Sequence, residues 1–470
     1  MTIMLQYPEV ITFINSLSTT CLMAVTTTKK APKAKIPKEK TEEKPAKTPA
    51  AKESKKKQTL SQEQPVVSIG LFGHVDNGKT TLTRALTGKW TDTHSEEMKR
   101  GITIRLGYAD ADFYKCSKCT EEDAYNVSAM CATCGGKAEF VRKVSFIDAP
   151  GHESLMATML SGASIIDGAL LLVAANEDCP LPQTREHLMA LEVVGIKHIA
   201  IVQNKIDLVD EAQAIKNYEQ IQAFIKGTIA EKAPIIPVSA QHNVNISALI
   251  AALEETIPTP TRDMTKDPLF FIARSFDINR PGIDIEDLSG GVLGGALKQG
   301  VFHEGDEIEI RPGLGIEREG KKQWYSLTTT ILGMHSGGHL MKEVHPGGSF
   351  GIMTALDPYY VKADSLTGNV VGKKGKLPDV WQTLTLKPQL LKRVVGSKEE
   401  LQVEAIKKLE PLMINVNSAV TVGIVTELKK DLIAVRLKIP VCCSKDDRLV
   451  ISRMLGNRWR LIGVAKIMGA

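Results

Sequence analysis

Residues 73–80 read Gly-His-Val-Asp-Asn-Gly-Lys-Thr, a G-x-x-x-x-G-K-[ST] pattern whose chemistry is the holding of a polyphosphate. Glycines at Gly73 and Gly78 let the N–H groups of the loop, from His74, Val75, Asp76 and Asn77 on to Thr81, close around phosphate oxygens at a positive helix end. In such a loop Lys79 would meet the β- and γ-phosphates, and the Thr80 hydroxyl would bind Mg²⁺. Asp148-Ala-Pro-Gly151 offers the second contact. A carboxylate at the end of an apolar strand can hold Mg²⁺ through water, and Gly151 lets its N–H approach the γ-phosphate.

Four further groups extend the chemistry. Thr103, inside the polar run Lys99-Arg-Gly-Ile-Thr-Ile, can complete the Mg²⁺ shell only while a γ-phosphate is present, which makes a switch. His152 follows the Asp148 motif directly, where an imidazole can orient an attacking water. Asn204-Lys205-Ile-Asp207 ends an apolar strand. The Asp207 carboxylate there can accept from N1–H and the 2-amino group of guanine, a donor pair that adenine lacks. Ser239-Ala240-Gln241, after the next strand, would support the base through backbone N–H groups.

Cys116-x-x-Cys119 and Cys131-x-x-Cys134 lie eleven residues apart. Four thiolates in two knuckles suit a closed tetrahedral Zn²⁺ site of structural kind, with reduced, metal-free cysteines as the other reading. The adjacent Cys442 and Cys443 read as buried packing.

The elements that must position these groups follow from the apolar pattern. Val66–Phe72 reads as a buried strand running into the loop, and the continuation up to Gly88 as a helix. Strands follow at Ala109–Tyr114, Val144–Asp148, Gly168–Ala174, His198–Gln203 and before Val238, and they alternate with helices that begin at Leu155, Thr184, Asp210 and Ile246. This order predicts a doubly wound, mostly parallel α/β sheet over residues 65–262, with its ligand at the strand C-termini and the cysteines in an insertion at about 114–140. Beyond a Pro258/Pro260 linker, short β-rich runs punctuated by glycine predict one β-barrel over 267–376 and a second over 377–470.

Composition sets the limits. Among 470 residues, 43% are apolar and 24% charged, the proportions of a soluble globular chain. The formal charge of +5 is misleading, because residues 29–57 alone hold twelve lysines against four glutamates. The remainder is slightly acidic, so RNA contact must come from local patches. Residues 29–64 have no hydrophobic period, and 1–64 as a whole read as a disordered, lysine-rich extension. Eight cysteines in this usage suit a reducing cytoplasm. The first 25 residues lack a basic leader and are broken by Pro8, Glu9 and Asn15, which is unlike a secretory signal. No apolar run reaches membrane-spanning length, and no membrane partner is expected.

Taken in order, GHVDNGKT, RGITI, DAPGHE, NKID and SAQ followed by two barrels resemble the translational GTPases. The runs TGKWTDTHSEEMKRGITIRLGYADA, SFIDAPGHESLMATMLSGASIIDGALLLVAANE, RSFDINRPG, LSGGVLGGALKQG and ISRMLGNRWRLIG are similar to the gamma-subunit family of archaeal and eukaryotic initiation factor 2. The resemblance spans about 66–470. It implies GTP/GDP and Mg²⁺ as cofactors and GTP hydrolysis that releases initiator methionyl-tRNA. It further implies alpha and beta subunits and the small ribosomal subunit as partners. Under it Thr80, Thr103 and Asp148 form the Mg²⁺ network, Asp76 lies near the phosphates and a second metal, and His152 positions water. Asn77 departs from the histidine usual in that family. An elongation-type carrier and a non-hydrolysing RNA-binding scaffold are the competing readings.

Overall fold

The computed structural model describes residues 64–469 except 92–102, 104–105, 121, 153–155, 164, 281, 285, 287, 319, 392–401 and 457. The lysine-rich extension and most of the RGITI run lie outside the described residues, as does the predicted helix start at Leu155.

The first region builds β1 (Val67–Gly73), α1 (Lys79–Thr87), β2 (Gly107–Lys115), β3 (Tyr125–Asn126), β4 (Glu139–Asp148), α2 (Met156–Ala163), β5 (Gly168–Ala174), α3 (Pro182–Val194), β6 (His198–Asn204), α4 (Glu211–Ile225), β7 (Ile235–Pro237) and α5 (Ile246–Thr256). Their sheet has the order β3-β2-β4-β1-β5-β6-β7. The pairs β4–β1, β1–β5, β5–β6 and β6–β7 are parallel, while β2 runs antiparallel to β4. Strands β1 and β5 are buried along their whole length, the continuous apolar run that a sheet covered on both faces requires. The core joins Val67, Ile69 and Leu71 to Leu170, Leu172, Ala200 and Val202 and to the apolar face of α5. Strand β4 starts at Glu139, earlier than its apolar signal at Val144. The cause is pairing: after a bulge, Phe140 and Glu139 continue the ladder against Tyr114 and Lys115 as the cysteine-bearing excursion returns.

The second region contains β8 (Leu269–Phe276), β9 (Val292–Gln299), β10 (Phe302–His303), β11 (Glu307–Arg318), β12 (Lys321–Ser336), β13 (His339–Met341), β14 (Glu343–Val344), β15 (Phe350–Thr354) and β16 (Val370–Lys373). The ring β11-β16-β8-β9-β15-β12 closes through β11–β12 pairing. The sequence reading did not single out β12, and between β15 and β16 the chain makes a 3₁₀ turn over Pro358–Asp364. The third region, β17 (Val380–Leu390), β18 (Pro411–Val416), β19 (Ala419–Lys429), β20 (Leu432–Cys442), β21 (Arg448–Leu455) and β22 (Arg458–Gly469), closes as β17-β20-β19-β18-β21-β22. Each barrel has its own apolar centre.

Specific polar contacts seat the barrels on the sheet domain. The Gln64 amide donates to the carbonyls of His345 at 2.6 Å and Gly347 at 2.8 Å, just before β1 begins. From the last barrel, Asn415 reaches the Ala157 carbonyl of α2 at 3.4 Å.

Candidate nucleotide site and cysteine cluster

The loop between β1 and α1 sits at the C-terminal edge of the sheet, beside the ends of β4, β5 and β6. Its conformation needs its glycines. Gly78 caps α1 with φ +85°, and at Gly73 a Cβ would come within 2.5 Å of the Leu172 carbonyl. Gly151 faces the loop so closely that a Cβ would stand 3.0 Å from both the Gly73 carbonyl and the Val75 nitrogen. Lys79, almost wholly buried, arches back and donates to the carbonyls of Gly73 at 3.1 Å and His74 at 2.8 Å. A cavity of ≈ 260 Å³ opens over it, lined by Val75, Asp76, Gly78, Lys79, Thr80, Thr81, Trp90, Thr103, Gly151, His152 and Lys205. That volume and the ammonium suit a nucleotide's phosphates.

Oxygen donors converge at one wall. The Thr80 hydroxyl donates to Asp148 Oδ2 at 2.7 Å and stands 3.2 Å from the Thr103 hydroxyl. Two hydroxyls and a carboxylate this close form a hard-oxygen set that fits Mg²⁺. Thr91, which the sequence reading passed over, donates to the same Asp148 oxygen at 2.8 Å. Nothing in the TDTHSEE run distinguishes that threonine from its neighbours. His152 is exposed on the cavity wall.

The base side is a hydrogen-bonded chain. Asn204 donates from its amide nitrogen to the Asn77 carbonyl at 2.9 Å, and its amide oxygen accepts the Ala240 N–H at 3.1 Å. That N–H, expected to support a base, thereby braces the Asn204 side chain at the same corner. The Ser239 hydroxyl donates to Asp207 Oδ1 at 2.6 Å, and His242 Nε2 lies 3.6 Å from Asp207 Oδ2. Both contacts hold the carboxylate in place. Gln241 is exposed. Lys205, at φ +63°, turns the chain so that Asn204 and Asp207 serve opposite sides of this corner.

The four knuckle cysteines meet. Sγ of Cys116 lies 3.6 Å from that of Cys134, and Sγ of Cys119 lies 3.6 Å from that of Cys131. All four sulfurs are within 4.8 Å of one another. Tetrahedral ligation with Zn–S bonds of about 2.3 Å places sulfurs ~3.8 Å apart, so the cluster fits zinc. The Cys134 N–H holds the Cys131 thiol down to about 6, whereas hydrogen bonding to the Cys134 sulfur pushes the Cys119 thiol up. Cys442 and Cys443 are buried in the last barrel, and burial pushes both thiols up to about 12.

Phosphate loop, oxygen wall and base-side chain on a parallel sheet define a nucleotide-triphosphate-binding protein, and the comparisons with known proteins fix its class. The family model described as the Elongation factor Tu GTP binding domain matches residues 64–259. That described as Initiation factor eIF2 gamma, C terminal, matches residues 382–467. The protein is a translational GTPase. Translation initiation factor 2 subunit gamma of Methanocaldococcus jannaschii is 56% identical over 416 residues, 88% of this chain and 100% of the relative. Its namesake in Pyrococcus horikoshii is 58% identical over 400 residues, 85% and 97% of the two chains. The chain belongs to the translation initiation factor 2 subunit gamma family. Among solved structures, a bacterial selenocysteine-specific elongation factor aligns with a TM-score of 0.65 and 25% identity over 86% of this chain. This chain spans only 58% of that larger protein. The elongation factor SelB from Methanococcus maripaludis, bound to a GTP analogue, shares the fold with a TM-score of 0.62 at 20% identity, covering 86% of this chain and 79% of its own.

Proposed function

We propose that this GTPase carries initiator methionyl-tRNA to the small ribosomal subunit as the gamma core of a heterotrimeric initiation factor, and that GTP hydrolysis releases the tRNA. The observation that carries the reading is the match to relatives named as this subunit over 97–100% of their length. The site supplies the means. The Lys79 ammonium neutralises charge on the β- and γ-phosphates, and the loop N–H groups orient them. Mg²⁺, when bound, offsets the charge that develops on the phosphate oxygens, and Thr80, Thr103 and Asp148 are the residues placed to hold it. Thr103 belongs to the segment between α1 and β2. A bound γ-phosphate would draw Thr103 into the Mg²⁺ shell, and hydrolysis would remove that contact, the change that lets go of the tRNA. His152 orients the attacking water.

Asp207 reads guanine, with Asn204, Lys205, Ser239 and Ala240 supporting it. Asp76 lies near the phosphates, and zinc staples the cysteine knuckles as a structural ion. Alpha and beta subunits complete the factor, which works in the cytoplasm; among the described residues no helix is long and apolar enough to cross a membrane.

The test is filter binding of initiator and elongator methionyl-tRNA to the full chain, with and without alpha subunit, in the presence of a GTP analogue or GDP. Initiator-selective binding that requires the GTP analogue supports the proposal. Equal binding of both tRNAs assigns an elongation-type carrier, and binding of neither refutes tRNA carriage.

A further inference from the structure

Helix α3 carries two successive buried ionisable side chains, Glu186 and His187, which the phosphate chemistry above does not use. They face different partners. His187 Nδ1 accepts the Gly73 N–H at 2.9 Å, and its ring stands edge-on to Phe72 with 6.1 Å between centroids. An imidazole accepts at Nδ1 only when that nitrogen carries no proton. Complete burial, reinforced by the Lys79 ammonium nearby, holds the His187 ring down to about 3 and therefore neutral. Glu186 pairs with Arg460 of β22, across the boundary to the last barrel, with side chains only 3% and 12% exposed. At the other end of the helix, Arg448 of β21 donates to the Val193 carbonyl at 3.0 Å. The last barrel therefore grips α3 at both ends, and the part of the helix that meets Arg460 also holds the start of the phosphate loop.

We propose that Arg460, Glu186 and His187 form a positioning relay through which the last barrel sets the phosphate loop. The buried ion pair fixes the rotation of the helix, and His187 passes that placement to Gly73. Gly73 has no slack to absorb an error: its φ is +142°, and the Leu172 carbonyl already touches the space a Cβ would fill. A buried pair of this kind is a poor source of stability but a good source of registry. Its consequence is reciprocal coupling, so barrel docking raises nucleotide affinity and bound nucleotide strengthens barrel docking. The relay rests on the GTP site alone and is independent of tRNA carriage.

A double-mutant cycle on the full chain tests it, reading Kd for fluorescent GDP and GTP analogues with Mg²⁺ present. H187L and R460M should each raise Kd by roughly ten-fold, and the double variant should bind no worse than H187L. H187N, whose amide oxygen can accept from Gly73, should recover most of the affinity. E186Q keeps the shape of the side chain while removing its charge, and should match R460M. R448M, which loosens the same barrel away from Glu186, should lower the melting temperature and raise Kd by clearly less than R460M does. Losses that multiply in the double variant would overturn the relay. So would wild-type binding by both R460M and E186Q, or a loss in R448M equal to that in R460M.

Discussion

The Asn77 side chain donates to the Leu172 carbonyl at 2.9 Å, tying the phosphate loop to β5. Its amide oxygen is buried without a hydrogen-bond partner, while its main-chain carbonyl accepts from Asn204. Asn77→Ala keeps that second bond and loses only the first, a cost of ~1 kcal/mol that should raise the GTP Kd about five-fold. Asn77→Asp sets a carboxylate against the carbonyl, and the buried, unpaired acceptors should cost ~3 kcal/mol. Nucleotide titration should therefore rank wild type, Ala and Asp in that order. An Asp variant that binds better than Ala would contradict the contact.

Asp148 accepts from both Thr80 and Thr91 through one oxygen, at 2.7 and 2.8 Å. Asp148→Asn replaces the hard anionic donor with an amide, so GTP affinity should fall by about two orders of magnitude with Mg²⁺ present and little in its absence. Thr91→Val removes only an orienting hydroxyl and should cost a few-fold. Titration at varied Mg²⁺ separates the two effects. Equal losses with and without Mg²⁺ would assign Asp148 a role in folding instead.

How far the sequence reveals this site depends on how local the cause is. Gly73 and Gly78 are legible because backbone closure over phosphate demands glycine at those points, and β1 and β5 because burial on both faces leaves an unbroken apolar run. Strand β12 hides because residues 322–328, Lys-Gln-Trp-Tyr-Ser-Leu-Thr, lie mostly exposed on a ribbon with β11 and show no alternation. His187 hides for a different reason. Its partner Gly73 is 114 residues away, and one histidine on a helix has no period that points there.

The cysteine cluster packs Cys116, Cys131 and Ala138 into a small centre separate from the main sheet core. Removing zinc should therefore unfold the knuckles and spare the GTP site. With the as-purified protein, metal analysis should find one zinc per chain, and a strong chelator should open the insertion to limited proteolysis between 116 and 137. GTP affinity should change by less than about three-fold, because the binding free energy of such an ion is local folding energy. Loss of nucleotide binding on chelation would show the two sites to be coupled.

Asp207 presents a carboxylate held by the Ser239 hydroxyl at 2.6 Å. Exchanging it for Asn puts an N–H₂ where one oxygen stood, which clashes with the guanine 2-amino donor and pairs with a carbonyl in its place. Asp207→Asn should lose about 10³-fold or more in GTP affinity and gain binding of xanthosine triphosphate. Competition binding with GTP, ATP and xanthosine triphosphate measures both. Retained preference for GTP would move base reading away from Asp207.

Acid should weaken the fold through His187. An imidazole in the unfolded chain titrates near 6.5, whereas burial keeps the ring in the folded protein neutral down to about 3. Between those values the unfolded chain binds a proton that the folded chain does not, so falling pH favours unfolding. The contribution is fully present above the unfolded value and is lost progressively towards pH 3, at up to about 1.4 kcal/mol per pH unit. His187→Asn keeps an acceptor for Gly73 and removes the titrating group. Its unfolding free energy from urea titration should therefore fall less steeply than that of the wild type between pH 6.5 and 5, by a slope that approaches one proton towards pH 5. Parallel curves for the two proteins would mean that His187 is protonated in the folded state, and the hydrogen bond from Gly73 to its ring would then be excluded.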